Sequence, residues 1–145
     1  MNYLFDTNIL VHYVRRSPLI TQIEADFKPA SPEHTVLIAV VSLGEIQSLA
    51  IQNNWGGKRM SVLNEILKEY LVADINSADV IQRYAEIDAF SQGKLADKPL
   101  GMTSRNMTKN DLWIAAVASV LDATLITTDS DFDHLNRAFI NLVKI

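Results

Sequence analysis

Short apolar, β-branched runs alternate along the chain with longer stretches whose apolar positions recur at helical spacing. Residues 2–5, carrying Tyr3-Leu4-Phe5, read as a short buried strand, and Asn8 to Arg15 as the helix after it. Pro18 and the segment Lys28 to His34, with Pro29 and Pro32, are turn or loop signals. Thr35 to Val41 is an unbroken apolar run, the pattern of a strand covered on both faces. Ser42-Leu43-Gly44-Glu45 then opens a helix to about Asn53, and Asn54 to Gly57 is a break. Met60 to Lys68 predicts a short amphipathic helix and Tyr70 to Ile75 a strand. Ser77 to Gln92 predicts a helix with Val80, Ile81, Tyr84, Ile87 and Phe90 at its apolar positions. Gly93 to Asn110 is polar and carries Pro99 and Gly101, which predicts a long surface loop. Asp111 to Leu121 is apolar on nearly every side, as a buried helix is; Thr124 to Thr128 follows as a strand. Asp131 to Asn136 is a helical turn and Ile140 to Lys144 a last strand. Strands alternating with helices imply a parallel sheet with helices on both faces. There is no repeat or linker, so residues 1–145 are expected to form one domain.

Composition narrows the chemistry. At 145 residues, 48% hydrophobic and 21% charged, the chain can bury a core without staples. It has no cysteine, which removes disulfides, thiolate zinc sites and iron–sulfur clusters. No apolar run is long enough to span a bilayer, and the start of the chain does not read as a secretion signal, so a cytoplasmic protein without membrane contact is expected. The net charge of −4 argues against a passive nucleic-acid binder, which usually carries a basic patch. It does not argue against a nuclease whose acids surround a metal, because the cation reverses the local field.

Two strand-like runs end on aspartate: Tyr3-Leu4-Phe5 runs into Asp6-Thr7-Asn8, and Thr124 to Thr128 into Asp129-Ser130-Asp131. In an open parallel sheet the carboxyl ends of the strands form the ligand-binding rim. Glu45 follows the second strand closely, and Asp111 opens the helix that leads into the Asp129 strand, so Asp6, Glu45, Asp111 and Asp129 are expected on one rim, with Asp131 beside them. Each has a structural alternative. Asp6, Thr7 or Asn8 can cap a helix. Ser42-x-x-Glu45, Thr108-x-x-Asp111 and Ser130-x-x-Asp133 all match the capping box, and acids are favoured in a helix's first turn. Convergence favours function: carboxylates gathered at one edge repel unless a cation compensates them, and an all-oxygen donor set suits Mg2+ or Mn2+.

The matching segments are Phe5-Asp6-Thr7-Asn8, Ser42-x-x-Glu45, Asn110-Asp111-Leu112-x-Ile114-Ala115-Ala116 and Leu125-Ile126-Thr127-Thr128-Asp129-Ser130-Asp131-Phe132. In this order, and over the whole length, the chain resembles the PIN-domain ribonucleases, in particular the VapC-like toxins of bacterial toxin–antitoxin pairs. The resemblance implies a three-layer α/β/α sandwich around a parallel sheet of four or five strands. It implies Asp6, Glu45, Asp111 and Asp129 as catalytic acids around one or two Mg2+ or Mn2+ ions, with Asp131 as a competing ligand. Thr7, Asn8 and Thr127 fall where side chains orient those acids. The activity implied is a metal-dependent endoribonuclease that attacks RNA phosphodiesters with a metal-activated water. A cognate antitoxin and a homodimer are implied partners. Two segments depart from the pattern: the Gly93–Asn110 loop is long, and Asn53 to Arg59 is an insertion carrying Trp55.

Arg105 and Lys109, and as a second pair Lys58 and Arg59, are candidate phosphate contacts, with solvated surface charge as the alternative. His12, His34 and His134 are not spaced as a metal set and read as surface residues; Trp113 reads as core, and Trp55 as a possible interface residue. Three rivals remain. A haloacid-dehalogenase-like phosphatase needs a second aspartate where Asn8 stands. A catalytically silent RNA- or protein-binding relative predicts lost acids, yet all four are present. A structure-specific DNA nuclease of related fold usually carries larger inserts and more basic clamps.

Overall fold

A computed structural model describes all residues from Met1 to Ile145 and contains a five-stranded, wholly parallel sheet in the order β3-β2-β1-β4-β5. The strands are β1 (Asn2–Phe5), β2 (Thr35–Ala39), β3 (Leu71–Ala73), β4 (Thr124–Thr127) and β5 (Asn141–Lys144). The helices are α1 (Thr7–Arg15), α2 (Leu19–Phe27), α3 (Val40–Gln52), α4 (Gly57–Glu69), α5 (Ala78–Ser91) and α6 (Lys109–Val120), and a 3-10 turn spans Ser130–Leu135 before β5.

Period-two alternation along the strands sorts the core into two layers. Tyr3 and Phe5, Val36 and Ile38, and Ile126 face one side, where Ile9, Leu10, Ile23, Ile46 and Leu63 from α1 to α4 cover them. Leu4, Leu37, Ala39, Ala73 and Leu125 face the other, packed against Ile87 and Phe90 of α5, against α6, and against Phe132 and Leu135 of the 3-10 turn. This is the expected α/β/α sandwich. The expected buried character of α6 also holds: every residue from Ile114 to Ala118 is buried, because the helix lies between the sheet and α5.

Several local expectations change. α2 has no counterpart in the predicted elements. Leu19, Ile20, Ile23 and Phe27 give it one apolar face, and Ser17 starts it by accepting the Leu19 N–H at 3.2 Å. β2 ends at Ala39 rather than Val41: its neighbour β3 pairs only as far as Ala73, opposite Ala39, and Val40 and Val41 belong to α3. β3 is likewise shorter than Tyr70–Ile75, and α4 is longer than Met60–Lys68 at both ends. Trp55 is buried in the α1–α4 layer rather than at an interface, while Trp113 is only half-buried and stacks on Tyr84 at 4.2 Å between ring centroids. No helix is long and apolar enough to cross a membrane.

Candidate functional site

The chain steps outward from β1 through β2 to β3, then returns to place β4 on the other side of β1. Between β1 and β4 the direction of strand order reverses, and such a switch point opens a crevice at the carboxyl end of the sheet. Asp6 is the residue after β1, and Asp129 lies two residues beyond β4.

Asp6 is 4% exposed and both of its oxygens are held. The Thr7 N–H donates to Oδ1 at 2.7 Å, so Asp6 does cap α1, and the Thr127 hydroxyl donates to Oδ2 at 2.7 Å. The Thr127 oxygen also accepts the Asp129 N–H at 2.9 Å, which ties the ends of β1 and β4 through one buried side chain. On the other flank the Thr7 hydroxyl donates to Glu45 Oε1 at 3.1 Å. Thr7 and Thr127 therefore sit where orienting residues were expected. Asn8, the second residue of α1, is exposed and makes no side-chain hydrogen bond.

Glu45 reaches this point for a reason other than the expected capping box. Ser42 lies inside α3 with its buried hydroxyl unpartnered, and Ala39 begins the helix without a side-chain cap. Early entry into the helix at Val40 puts Glu45 at the sixth helical position, where Thr7 meets it. At Thr108 the capping reading does hold, since its hydroxyl accepts the Asp111 N–H at 3.2 Å and fixes the start of α6. At Ser130-x-x-Asp133 it fails: Asp129 caps the 3-10 turn by accepting the Asp131 N–H at 2.9 Å, and Asp133 instead pairs with Lys144 at 2.6 Å.

One carboxylate oxygen each from Asp111, Asp129 and Asp131 lies within 4.8 Å of the others. That is close to the span of about 4 Å across a magnesium shell built on roughly 2.1 Å bonds. Asp129 and Asp131 thus both lie close to Asp111. None of the five acids has an ion-pair partner. Burial, more than anything else, raises the Asp6 carboxyl above its ordinary range; the Thr127 and Thr7 hydrogen bonds oppose this, and Glu45 and Asp129 add to it. Asp111 is pushed up to about 6, first by burial and then by the charge of Asp6, with Asp129 and Glu45 contributing. Burial and neighbouring carboxylates thus both disfavour the charged forms of Asp6 and Asp111, and a nearby cation would favour them. The donor set is all oxygen and fits a hard divalent ion.

The geometry agrees with a family model for the PIN domain, which matches residues 3–138. The chain belongs to the PIN-domain family. A comparison with curated proteins finds no match. Among solved structures, a chain of VapBC2 from Rickettsia felis bound to a DNA fragment from their promoter is 25% identical, with TM-score 0.77 over 99% of this chain and 98% of that one. VapBC-1 from nontypeable Haemophilus influenzae follows at 20% identity and TM-score 0.72, and VapBC-5 from Mycobacterium tuberculosis at 21% and 0.66, both over 99% of this chain and 98% of theirs. The fold of this PIN domain is therefore that of chains found in toxin–antitoxin complexes.

The expected basic residues divide. Arg105 lines a groove of about 600 Å³ together with Asp131 and His134. Lys109 is exposed at the first position of α6, two residues before Asp111. Lys58 and Arg59 are exposed at the start of α4, which packs against α1, and no bond joins them to the acids. His134 is not the simple surface residue expected: Nε2 lies 2.8 Å from the fully buried Ser91 hydroxyl. Serine at the end of an amphipathic helix carries no distinctive signal, so this contact was not visible in sequence.

Proposed function

We propose that this PIN domain, formed by residues 1–145, is a Mg2+- or Mn2+-dependent endoribonuclease and the toxin of a type II toxin–antitoxin pair. The observation carrying this reading is the convergence of Asp6, Glu45, Asp111, Asp129 and Asp131, from four segments of the chain, at the switch point of the sheet without any basic partner. Asp111, Asp129 and Asp131 would hold the ion, with Asp6 and Glu45 completing its surroundings. When bound, the ion supplies Lewis acidity, lowering the pKa of a water and drawing charge from a phosphate oxygen. The chain's own work is positional. Thr127 and the Thr7 N–H hold Asp6 rigidly, so its carboxylate does not swing away when the site is charged. Thr7 occupies Glu45 Oε1 and leaves Oε2 to accept a proton from the attacking water. Thr108 fixes the first turn of α6 and with it the direction of Asp111.

The family reading also assigns the protein an antitoxin and a homodimeric, cytoplasmic form; the structural relatives named above come from VapBC complexes, which supports the first of these. The deciding experiment incubates metal-stripped protein with a defined pool of structured RNAs and matched DNAs, with and without Mg2+ or Mn2+, and maps the ends. RNA products with 5′-phosphates that vanish in Asp6→Asn are expected. Cleavage confined to DNA, or metal-independent 2′,3′-cyclic phosphate ends, would overturn the assignment.

A further inference from the structure

Beside the acids lies a groove with two walls. One is the loop between α5 and α6, which contributes Arg105, Asn106 and Met107; the other is the 3-10 turn, which contributes Asp131, Asp133 and His134. Both walls are tied to Ser91, the fully buried last residue of α5. Its carbonyl accepts the Arg105 N–H at 2.7 Å. Its hydroxyl lies 2.8 Å from His134 Nε2 and 3.5 Å from Met107 Sδ. Gln92 adds a second tie, donating to Asn106 Oδ1 at 3.1 Å. His134 stacks over Phe90 with an interplanar angle of 8°, so its ring is held from below as well. This loop is long and exposed, yet at Arg105 it is anchored to a helix end.

The charges in the groove are unevenly used. Asp133 is neutralised by Lys144 at 2.6 Å, and Asp131 belongs to the acid cluster. Arg105 makes no ion pair and no side-chain hydrogen bond, although carboxylates stand on the facing wall. An exposed, unpaired guanidinium on an anchored backbone is suited to a phosphate, which it binds through two parallel N–H bonds. In a chain of net charge −4, a polyanion approaching five carboxylates needs such a cation.

Resting on the ribonuclease reading above, we propose that this groove seats the RNA strand on the Asp131 side of the acids, with Arg105 gripping a phosphate next to the scissile one and Ser91 and His134 acting as positioning residues that hold the Arg105 loop. Binding is measured by fluorescence anisotropy of a short labelled single-stranded RNA, with Ca2+ replacing Mg2+ so that cleavage does not intervene. Arg105→Ala is expected to weaken binding about 10-fold at low salt and to lower the salt slope by about 0.7, the contribution of one single-strand phosphate. Arg105→Lys keeps the slope and loses part of the affinity. Ser91→Ala and His134→Gln weaken binding about 3-fold and speed amide hydrogen exchange across residues 102–107, which Arg105→Ala leaves unchanged. Mn2+ affinity is the same in all four variants. Unchanged RNA affinity and salt slope in Arg105→Ala overturns the proposal, as does a wild-type protein that binds no RNA. The two readings fail separately: Arg105-dependent binding without metal-dependent cleavage defeats only the nuclease assignment, and cleavage with an unaltered KM in Arg105→Ala defeats only the groove.

Discussion

The two ends of the sheet handle carboxylate charge in different ways. At the amino end, near the starts of β2 and β3, a single carboxylate, Glu24, accepts the Tyr13 hydroxyl at 2.5 Å, with Tyr70 close by and Phe5 stacked on Tyr13. Burial, chiefly, pushes the Tyr70 phenol up to about 12 and Tyr13 higher still, so both remain neutral donors at any ordinary pH. Glu24 takes its side-chain hydrogen bond from a neutral phenol. At the carboxyl end, five carboxylates share backbone amides and two threonine hydroxyls, and no lysine, arginine or histidine joins them in an ion pair. The first arrangement joins α1 to α2 through one hydrogen bond. The second leaves neighbouring carboxylates without a cationic partner, which is the pattern of a site kept for function at some expense of stability.

The largest way to break this contrast is at the carboxyl end. Asp111→Asn is expected to lower RNA cleavage by roughly 10³-fold, corresponding to the several kcal/mol that a bound cation contributes. Initial rates in saturating Mn2+ measure it, and a loss under 10-fold would place Asp111 outside the site. Thr127→Val removes the donor to Asp6 and the acceptor for the Asp129 N–H in one change. It should weaken Mn2+ binding about 10- to 100-fold, the usual effect of losing a group that orients a ligand, as read by calorimetric titration. At the amino end, Tyr13→Phe leaves Glu24 without its donor and should cost about 1.5–3 kcal/mol in urea unfolding, the range for bonds to charged groups, with cleavage unaltered. Lost cleavage in a folded Tyr13→Phe protein would mean the two ends are coupled.

The smallest effect has a sign that identifies the site. The Asp111 carboxyl is raised to about 6 from 3.8, so its contribution to metal-free stability is fully present below about pH 4 and is lost as pH rises through 6. Metal-free protein in chelator should therefore melt a few degrees higher as Asp111→Asn than as wild type at pH 7, and this gain should shrink by pH 5. Mn2+ affinity should fall as pH drops below about 6, because protons compete for the same carboxylate. A destabilised Asp111→Asn at pH 7 would show that Asp111 is already compensated.

Much of this was legible in the chain because it depends on near neighbours. Short apolar, β-branched runs marked β1, β2 and β4, the apolar surround of Ile114 to Ala118 marked a buried helix, and Asp6 and Asp129 announced themselves by ending strands. What sequence left open depended on contacts between distant segments. Whether β2 ran to Val41 was decided by where β3 stops pairing, and that boundary in turn set the helical phase that carries Glu45 to Thr7. Asp129 and Asp131 looked like competitors because they are two residues apart, but the 3-10 turn between them aims both at Asp111. Ser91 and His134 are 43 positions apart and neither has a chemical signature alone. Local propensity and apolar runs thus marked every element but α2 and nominated the acids. Which acids share a site, which hydroxyls hold them, and which arginine stands anchored beside them were settled only by packing, because a hydrogen bond of 3 Å depends on the positions of both partners, and no local stretch of sequence contains both.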